Sequence, residues 1–513
     1  MSIKIIPLDG VNCIGGNKFI VDDGHYSILL DFGQNFNEES KYLDEFLKPR
    51  SALGIKDLLY LSLIPPIKGL YRKDLDIFID WSKFENHKLY KSSNVIGILL
   101  SHAHLDHTGY VTYINMEIPI LTSLGTTYIC KAMQDTGSDI EICYINEKML
   151  ENDVLKADNK NPYYRRRFII LEERKINDLR FWSISPAKKK EILGGELFFS
   201  REYELENFKI KAIPVDHSIP YACAFHIDIS GLHILYTGDL RMHGLKAHLT
   251  KDFINYAKKI KPDILICEGT HPKSNRKTSE EDVYENVLRL IKNNNSLVIA
   301  DFGPRNIERL ISFLRVARET NRKLVLTLKD VYTLIALREI DEEIPDPTND
   351  ENIYLYRVPR ARSDKKWEEI VYEKMPKDRI IDFKNIKENP EDYILCFSYY
   401  DFPNLIDINP SGGVYIYSSC EAFNEEMLID HRKIENWIAL FNFEIYGSLK
   451  DREDPYFHSS GHIIGEDLEL LIEEVRPRFL IPVHTEPESK EFFERFDGFC
   501  KVVFLDKGDV FEI

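Results

Sequence analysis

Four residues of metal-ligand type crowd into six positions of this chain, His102-Ala103-His104-Leu105-Asp106-His107, directly behind an apolar run at 95–100. A run of that length reads as a buried strand, so the ligands begin where a strand ends. Imidazole nitrogens and a carboxylate at this density suit Zn²⁺ or a similar borderline divalent cation. Ala103 and Leu105 alternate with the polar residues, which lets packing groups and ligands point different ways. Solvated surface histidines are the competing explanation, and the strand in front of them argues against it. The segment reads as a metal site, and the fold has to be one that brings further strand ends to it.

The same arrangement recurs. Residues 208–215 form a strand-like run ending in Asp216-His217-Ser218, and Leu232–Tyr236 ends in Thr237-Gly238-Asp239. Residues 264–267 lead into Glu268-Gly269-Thr270, and Phe479–Val483 leads into His484-Thr485-Glu486. Several such strands in one sheet would line these groups along one edge, where α/β folds put their sites. Near the start, 3–8, 17–22 and 26–31 read as strands, the last two joined by an Asp23-Gly24 turn. The third closes on Asp31, which fits a plain strand cap and a residue orienting metal ligands equally well.

Between 273 and 445 the pattern becomes alternating strands and helices. Strands are expected at 296–301, 323–328, 393–398 and 414–419, and helices at Ile307–Glu319 and 425–441. This is a second α/β unit, without the glycine-rich fingerprints of nucleotide-cofactor sites. Downstream, Phe457-His458-Ser459-Ser460-Gly461-His462 precedes a helix at 466–475 and resembles an anion-binding turn.

At 513 residues the chain has room for two or three domains, and its net charge of −17 argues against a protein that coats nucleic acid. Any such contact would be confined to a channel where cations and local basic groups hold phosphates. Pro162-Tyr163-Tyr164-Arg165-Arg166-Arg167-Phe168 could supply such a lining, a solvated basic loop being the competing explanation. The eight cysteines are dispersed with no C-x-x-C pair, which points to reduced thiols in a cytoplasmic protein. No signal peptide and no membrane span is expected.

These motifs resemble the metallo-β-lactamase superfamily, and more closely its β-CASP nucleases, the ribonuclease J-like and cleavage-and-polyadenylation endonuclease-like proteins. Asp31 matches the first superfamily motif, His102, His104, Asp106 and His107 the second, His217 the third and Asp239 the fourth. Glu268, His462 and His484 match the three β-CASP motifs. The resemblance implies an α/β fold: an αββα metallo-β-lactamase sandwich (1–272 and 446–513) with an inserted β-CASP domain (273–445). It implies two Zn²⁺ per chain, with Mn²⁺ as the alternative. One would be held by His102, His104 and His217, the other by Asp106, His107 and His484, with Asp239 bridging.

The implied catalytic set is Asp106, Asp31, Glu268 and His462, with His462 protonating the leaving oxygen and Glu268 orienting it. His458, Ser459 and Ser460 are expected to grip substrate phosphate. Arg305 and Arg309, at the start of a helix of the inserted domain, are further candidates, though both read first as part of a solvated helix face. A histidine at position 484 goes with the RNA-processing members of the family, so the expected partner is single-stranded RNA, with a second copy of the chain as a further one. A DNA nuclease and a lactonase- or thioesterase-like hydrolase are the alternatives. The chain departs from the ribonuclease J pattern at Gly10-Val11-Asn12-Cys13-Ile14-Gly15, Ile463 and Thr485, which leaves exonuclease against endonuclease action open.

Overall fold

The computed structural model describes residues 2–44, 46–137, 140–173, 179–274, 278–419, 425–447 and 457–513, with the backbone alone at 425–429. Two twisted sheets pack face to face. The first has eight strands in the order Leu197–Phe199, Phe168–Ile170, Ile120–Thr122, Val95–Leu99, Ser27–Leu30, Lys18–Asp22, Lys4–Asp9, Phe511–Glu512. The second has seven, in the order Tyr203–Leu205, Phe208–Pro214, Cys223–Ile229, Leu232–Tyr236, Ile264–Glu268, Phe479–Val483, Lys501–Val502.

The pleat explains why these sheets stack. In Leu232–Tyr236, Ile234 and Tyr236 face the first sheet, whereas Leu235 faces outward. Ile264, Ile266 and Ile481 repeat the inward pattern and meet Phe19, Val21, Leu30 and Leu99 across the interface. On the outer side Leu235, Leu265 and Leu480 pack under helices Ala247–Ile260 and Gly465–Val475, through Phe253, Leu468 and Ile472. The first sheet is covered likewise by helix Leu124–Thr136, which sets Leu124 and Tyr128 against the layer of Ile98 and Ile120. Burying each large aliphatic side chain in these layers is worth about 1.5–3 kcal/mol. The result is an αββα sandwich, the architecture that the resemblance implies.

Between the last two major strands of the second sheet the chain leaves to build a third. Its seven strands, Leu297–Asp301 through Phe443–Tyr446, pair in parallel throughout. Helices on both sides make its strands apolar on both faces, hence the near-continuous runs in the sequence. The last strand runs to Tyr446, and residues 448–456 lie outside the described residues. The expected strand at 323–328 stops at Leu326 because Thr327 caps a helix, Leu328–Arg338, in a reciprocal pair with Asp330.

The inserted unit is docked on the sandwich by side chains. Tyr332 donates to Asp135 at 2.7 Å, Tyr128 to Glu339 at 2.9 Å and Tyr221 to Asp341 at 2.8 Å. Among the described residues no helix is long and apolar enough to cross a membrane.

Candidate metal centre

Six strand ends meet at one end of the sandwich, and they come from both sheets, not from the single sheet edge that the sequence suggested. Ser27–Leu30 and Val95–Leu99 of the first sheet deliver Asp31 and the 102–107 segment. Phe208–Pro214, Leu232–Tyr236, Ile264–Glu268 and Phe479–Val483 of the second deliver His217, Asp239, Glu268 and His484. Asp31 and His484 both turn back through left-handed backbone, at φ 53° and 50°. That conformation is costly for a residue with a Cβ and is held by its surroundings. Gly33 lies hard against the ligand segment, where a Cβ would sit 1.6 Å from the Asp106 carbonyl oxygen, so only glycine fits.

The structure gathers these side chains into three groups that share Asp239, the third being Asp239, Glu268, His462 and His484. His102, His104, His217 and Asp239 offer ligand atoms all within 4.8 Å of one another, and so do Asp106, His107, Asp239 and His484. In the first group, His102 Nε2 and His217 Nε2 each lie 3.1 Å from His104 Nδ1. Burial holds these three imidazoles in the neutral form: His104 is pushed down to about 3, and His102 and His217 fall well below the usual range. Neutral nitrogens facing one another cannot satisfy each other fully, and Asp239 Oδ1 is buried with no hydrogen-bond partner. A donor set of this kind fits a divalent cation.

In the second group the charges run the other way. Burial disfavours the charged form of His107, but Asp239, Asp31 and Asp106 outweigh it and raise the imidazole well above its ordinary value. Burial works against ionised Asp106 too, yet His107 and the hydrogen bond from His484 hold it below the carboxylate range. Asp31 Oδ2 lies 2.8 Å from His107 Nδ1 and accepts from Ser101 Oγ at 2.8 Å and from the Tyr236 hydroxyl at 2.6 Å. It thereby fixes the ring so that Nε2 points to Asp239, 3.1 Å away.

On the open side, His462 Nδ1 lies 3.0 Å from Glu268 Oε2 and 3.8 Å from Asp239 Oδ2. Burial pushes His462 down, but Glu268 first and Asp239 next lift it to about 9. Beside it, Ser459 is buried with its Oγ unpartnered, Ser460 Oγ accepts from the His462 amide, and His458 Nδ1 sits 3.5 Å from the Ser418 carbonyl. Arg305 reaches over from the inserted unit, where its charge is felt by His104 and Asp106.

No family model matches the sequence. Ribonuclease J of Helicobacter pylori is 23% identical over 507 residues, covering 94% of this chain and 56% of that protein. The chain thus spans about half the length of these relatives. Ribonuclease J of Mycoplasma pneumoniae is 23% identical over 522 residues, covering 98% of this chain and 72% of the relative. Over nearly its whole length the chain is thus similar to ribonuclease J. A crystal structure of a protein of unknown function from Enterococcus faecalis V583 shares the fold over 100% of both chains, with a TM-score of 0.70 and 22% identity.

The candidate centre contains residues that sequence reasoning passed over. The Thr270 hydroxyl lies within 2.8–3.1 Å of Glu268 Oε2, His462 Nδ1 and His484 Nδ1, tying together all three groups on the open side. Asn17 Nδ2 touches His107 Nε2 at 2.9 Å. The position of Thr270 two residues past Glu268 was its only signal, and Tyr236 is hidden inside an apolar strand.

Two sequence readings are overturned. Arg309 does not face solvent: it is fully buried and binds Glu280 through Nε at 2.9 Å and Nη2 at 3.0 Å. The Tyr163–Phe168 stretch is mostly strand and not a solvated loop, and Arg167 is its one exposed arginine. Arg166 is fully buried and donates to the carbonyls of Ile142, Val111, Ile114 and Asn115, while Arg165 stacks on Trp182 at 4.7 Å. Of the cysteines, Cys13 and six buried ones are unpaired among the described residues, and Cys420 lies outside them.

Proposed function

We propose that this protein is a metal-dependent ribonuclease that hydrolyses RNA phosphodiester bonds with two Zn²⁺ per chain, Mn²⁺ being the alternative. The observation that carries the reading is the sharing of Asp239 between two ligand groups, with the His462–Glu268 pair on the open side of both. His102, His104 and His217 would hold one ion, and Asp106, His107 and His484 the other, with Asp239 between them. Two such cations, when bound, supply a nucleophile at neutral pH and neutralise charge on the phosphodiester.

The chain's own groups do the rest. Asp31 holds His107 in one tautomer and orientation through Nδ1. Glu268 keeps a proton on His462 Nδ1 and, by raising the ring to about 9, keeps the second proton on Nε2 near neutral pH. His462 Nε2 is then the donor to the departing ribose oxygen. Arg305, His458, Ser459 and Ser460 hold the substrate phosphates. Ribonuclease J relatives matching nearly the whole chain support RNA as the substrate.

The test is cleavage of 5′-labelled single-stranded RNA and the matching DNA with Zn²⁺ or Mn²⁺, comparing the wild type with Asp106→Ala and His462→Ala. RNA cleavage lost in both variants is the expected result, and the product ladder distinguishes exonuclease from endonuclease action. Preferential DNA cleavage would reassign the substrate. Metal bound without cleavage of either polymer would point to a small-molecule hydrolase.

A further inference from the structure

Beside the metal centre lies a second buried charge cluster, built from segments distant in sequence. Arg241, two residues beyond Asp239, binds Glu308 Oε2 at 2.6 Å, Glu280 Oε1 at 3.1 Å and Asp216 Oδ2 at 3.4 Å. Arg309 binds the same Glu280 from the other side. Glu280, Glu308 and Arg309 belong to the inserted unit, whereas Asp216 and Arg241 sit on the loops carrying His217 and Asp239.

Both arginines also reach one loop, through nitrogens shared with other partners: Arg241 Nη1 with Glu280 and Arg309 Nη1 with Ser418. Arg241 Nη1 donates to the Ser460 carbonyl at 3.1 Å, and His243 Nε2 reaches the same oxygen at 3.0 Å. Arg309 Nη1 donates to the Phe457 carbonyl at 3.3 Å, where the Ser418 hydroxyl also bonds. The Gly461 carbonyl is taken by His217 Nδ1. Gly461 itself has no room for a side chain, since a Cβ would lie 2.6 Å from Ser218 Oγ.

Carbonyl and amide of one trans peptide point in opposite directions. Holding the oxygens of Phe457 and Ser460 from behind therefore turns the amides of His458 and Gly461 away from the clamp. The unpartnered buried Ser459 hydroxyl lies in the same loop.

We propose that Arg241, His243 and Arg309 are positioning residues that hold the 457–461 loop in its phosphate-gripping form and lock it to the metal-bearing loops and the inserted unit together. The proposal rests on the reading of this site as a phosphodiester-binding centre. It makes the inserted unit part of the substrate site through its ion pairs, without requiring its arginines to touch substrate.

The test compares His243→Leu, His243→Gln and Arg241→Lys with the wild type, all zinc-loaded. It reads metal content, thermal midpoint, kcat and KM on a short 5′-phosphorylated single-stranded RNA, and the Kd of inorganic phosphate. For His243→Leu, KM and the phosphate Kd should rise about tenfold, as one lost hydrogen bond on the gripping loop requires, with kcat within about twofold. Metal content should be unchanged, His243→Gln should recover most of the affinity by donating from its amide, and Arg241→Lys should weaken it in the same sense. Unchanged KM and phosphate Kd in both His243→Leu and Arg241→Lys would overturn the proposal, as would a KM rise that tracks metal loss. Should the wild type cut no RNA yet bind phosphate, with the binding weakened by His243→Leu, the nuclease reading fails and the clamp stands.

Discussion

The metal centre and the Arg241–Arg309 cluster lie side by side, are buried to a similar degree, and differ in one respect. In the cluster each carboxylate meets a guanidinium: Asp216 and Glu308 meet Arg241, and Glu280 meets both arginines. In the metal centre nitrogen faces nitrogen, at 3.1 Å in both the His102–His104 and the His217–His104 pair, and an oxygen of Asp239 is left unpartnered. Taking charges out of water is expensive in either place. The cluster meets most of that cost by setting opposite charges against one another, although Asp216 Oδ1 and Arg241 Nε still lack hydrogen bonds, whereas the centre sets imidazole against imidazole. Neither buried polar density nor a single unpartnered atom marks a functional site; like donor groups converging on one point do.

Breaking each region should therefore fail in a different way. The largest effect is expected for Asp239→Ala, which removes the residue common to both ligand groups. Metal content should drop and RNA cleavage should fall by at least about 10³-fold, the scale of several kcal/mol that cation charge stabilisation supplies. On the proposed mechanism His462→Ala should lower kcat by about 10²–10⁴-fold with the metal content unchanged, since the proposed proton donor is lost and both proposed ligand sets are left whole. Metal analysis and single-turnover cleavage distinguish the two variants.

Glu280→Gln should show the opposite signature. Removing one partner of a buried ion network costs about 3–5 kcal/mol of stability in denaturant titration, while the protein that remains folded keeps its metal. The same carboxylate sets an acid limit. Burial opposes its ionisation, but Arg309 and Arg241 hold Glu280 at about 2, below its ordinary 4.5. A depressed acid contributes stability that is present above 4.5 and is lost as pH falls toward 2, on the order of 3 kcal/mol in all. Glu308 works in reverse: burial raises it to about 7, so its contribution is complete below 4.5 and declines as pH rises through 7. Stability against pH for wild type, Glu280→Gln and Glu308→Gln should lose the acid limb in the first variant and the neutral limb in the second. The smallest effect is expected for Arg165→Ala, about 1 kcal/mol from the Trp182 stack, with RNA affinity unchanged.

How much of this was legible in the chain follows from the range of the forces involved. Strands such as Leu232–Tyr236 and Phe479–Val483 and helix Ile307–Glu319 end where the apolar periodicity ends, because burial on known faces sets their limits. The candidate ligand residues are visible because each sits directly behind such a strand. The sheet assignment was not: an apolar strand does not record which of two stacked sheets it joins, and so a junction between sheets was read as one edge. Arg309 and Arg166 were misread because an arginine looks the same in sequence whether it faces water or Glu280, or a ring of carbonyls. Thr270 went unnoticed because its hydroxyl gains meaning only once His462 and His484, 192 and 214 residues away, come to it.

The most direct test of the account is the number of metal ions bound per chain, measured by elemental analysis on wild type and Asp239→Ala after equilibration with Zn²⁺. Two ions in the wild type, with both lost or severely weakened in Asp239→Ala, is the predicted result. A wild type that binds none, or a variant that keeps both at full affinity, would contradict the claim that the two ligand groups form one centre through Asp239.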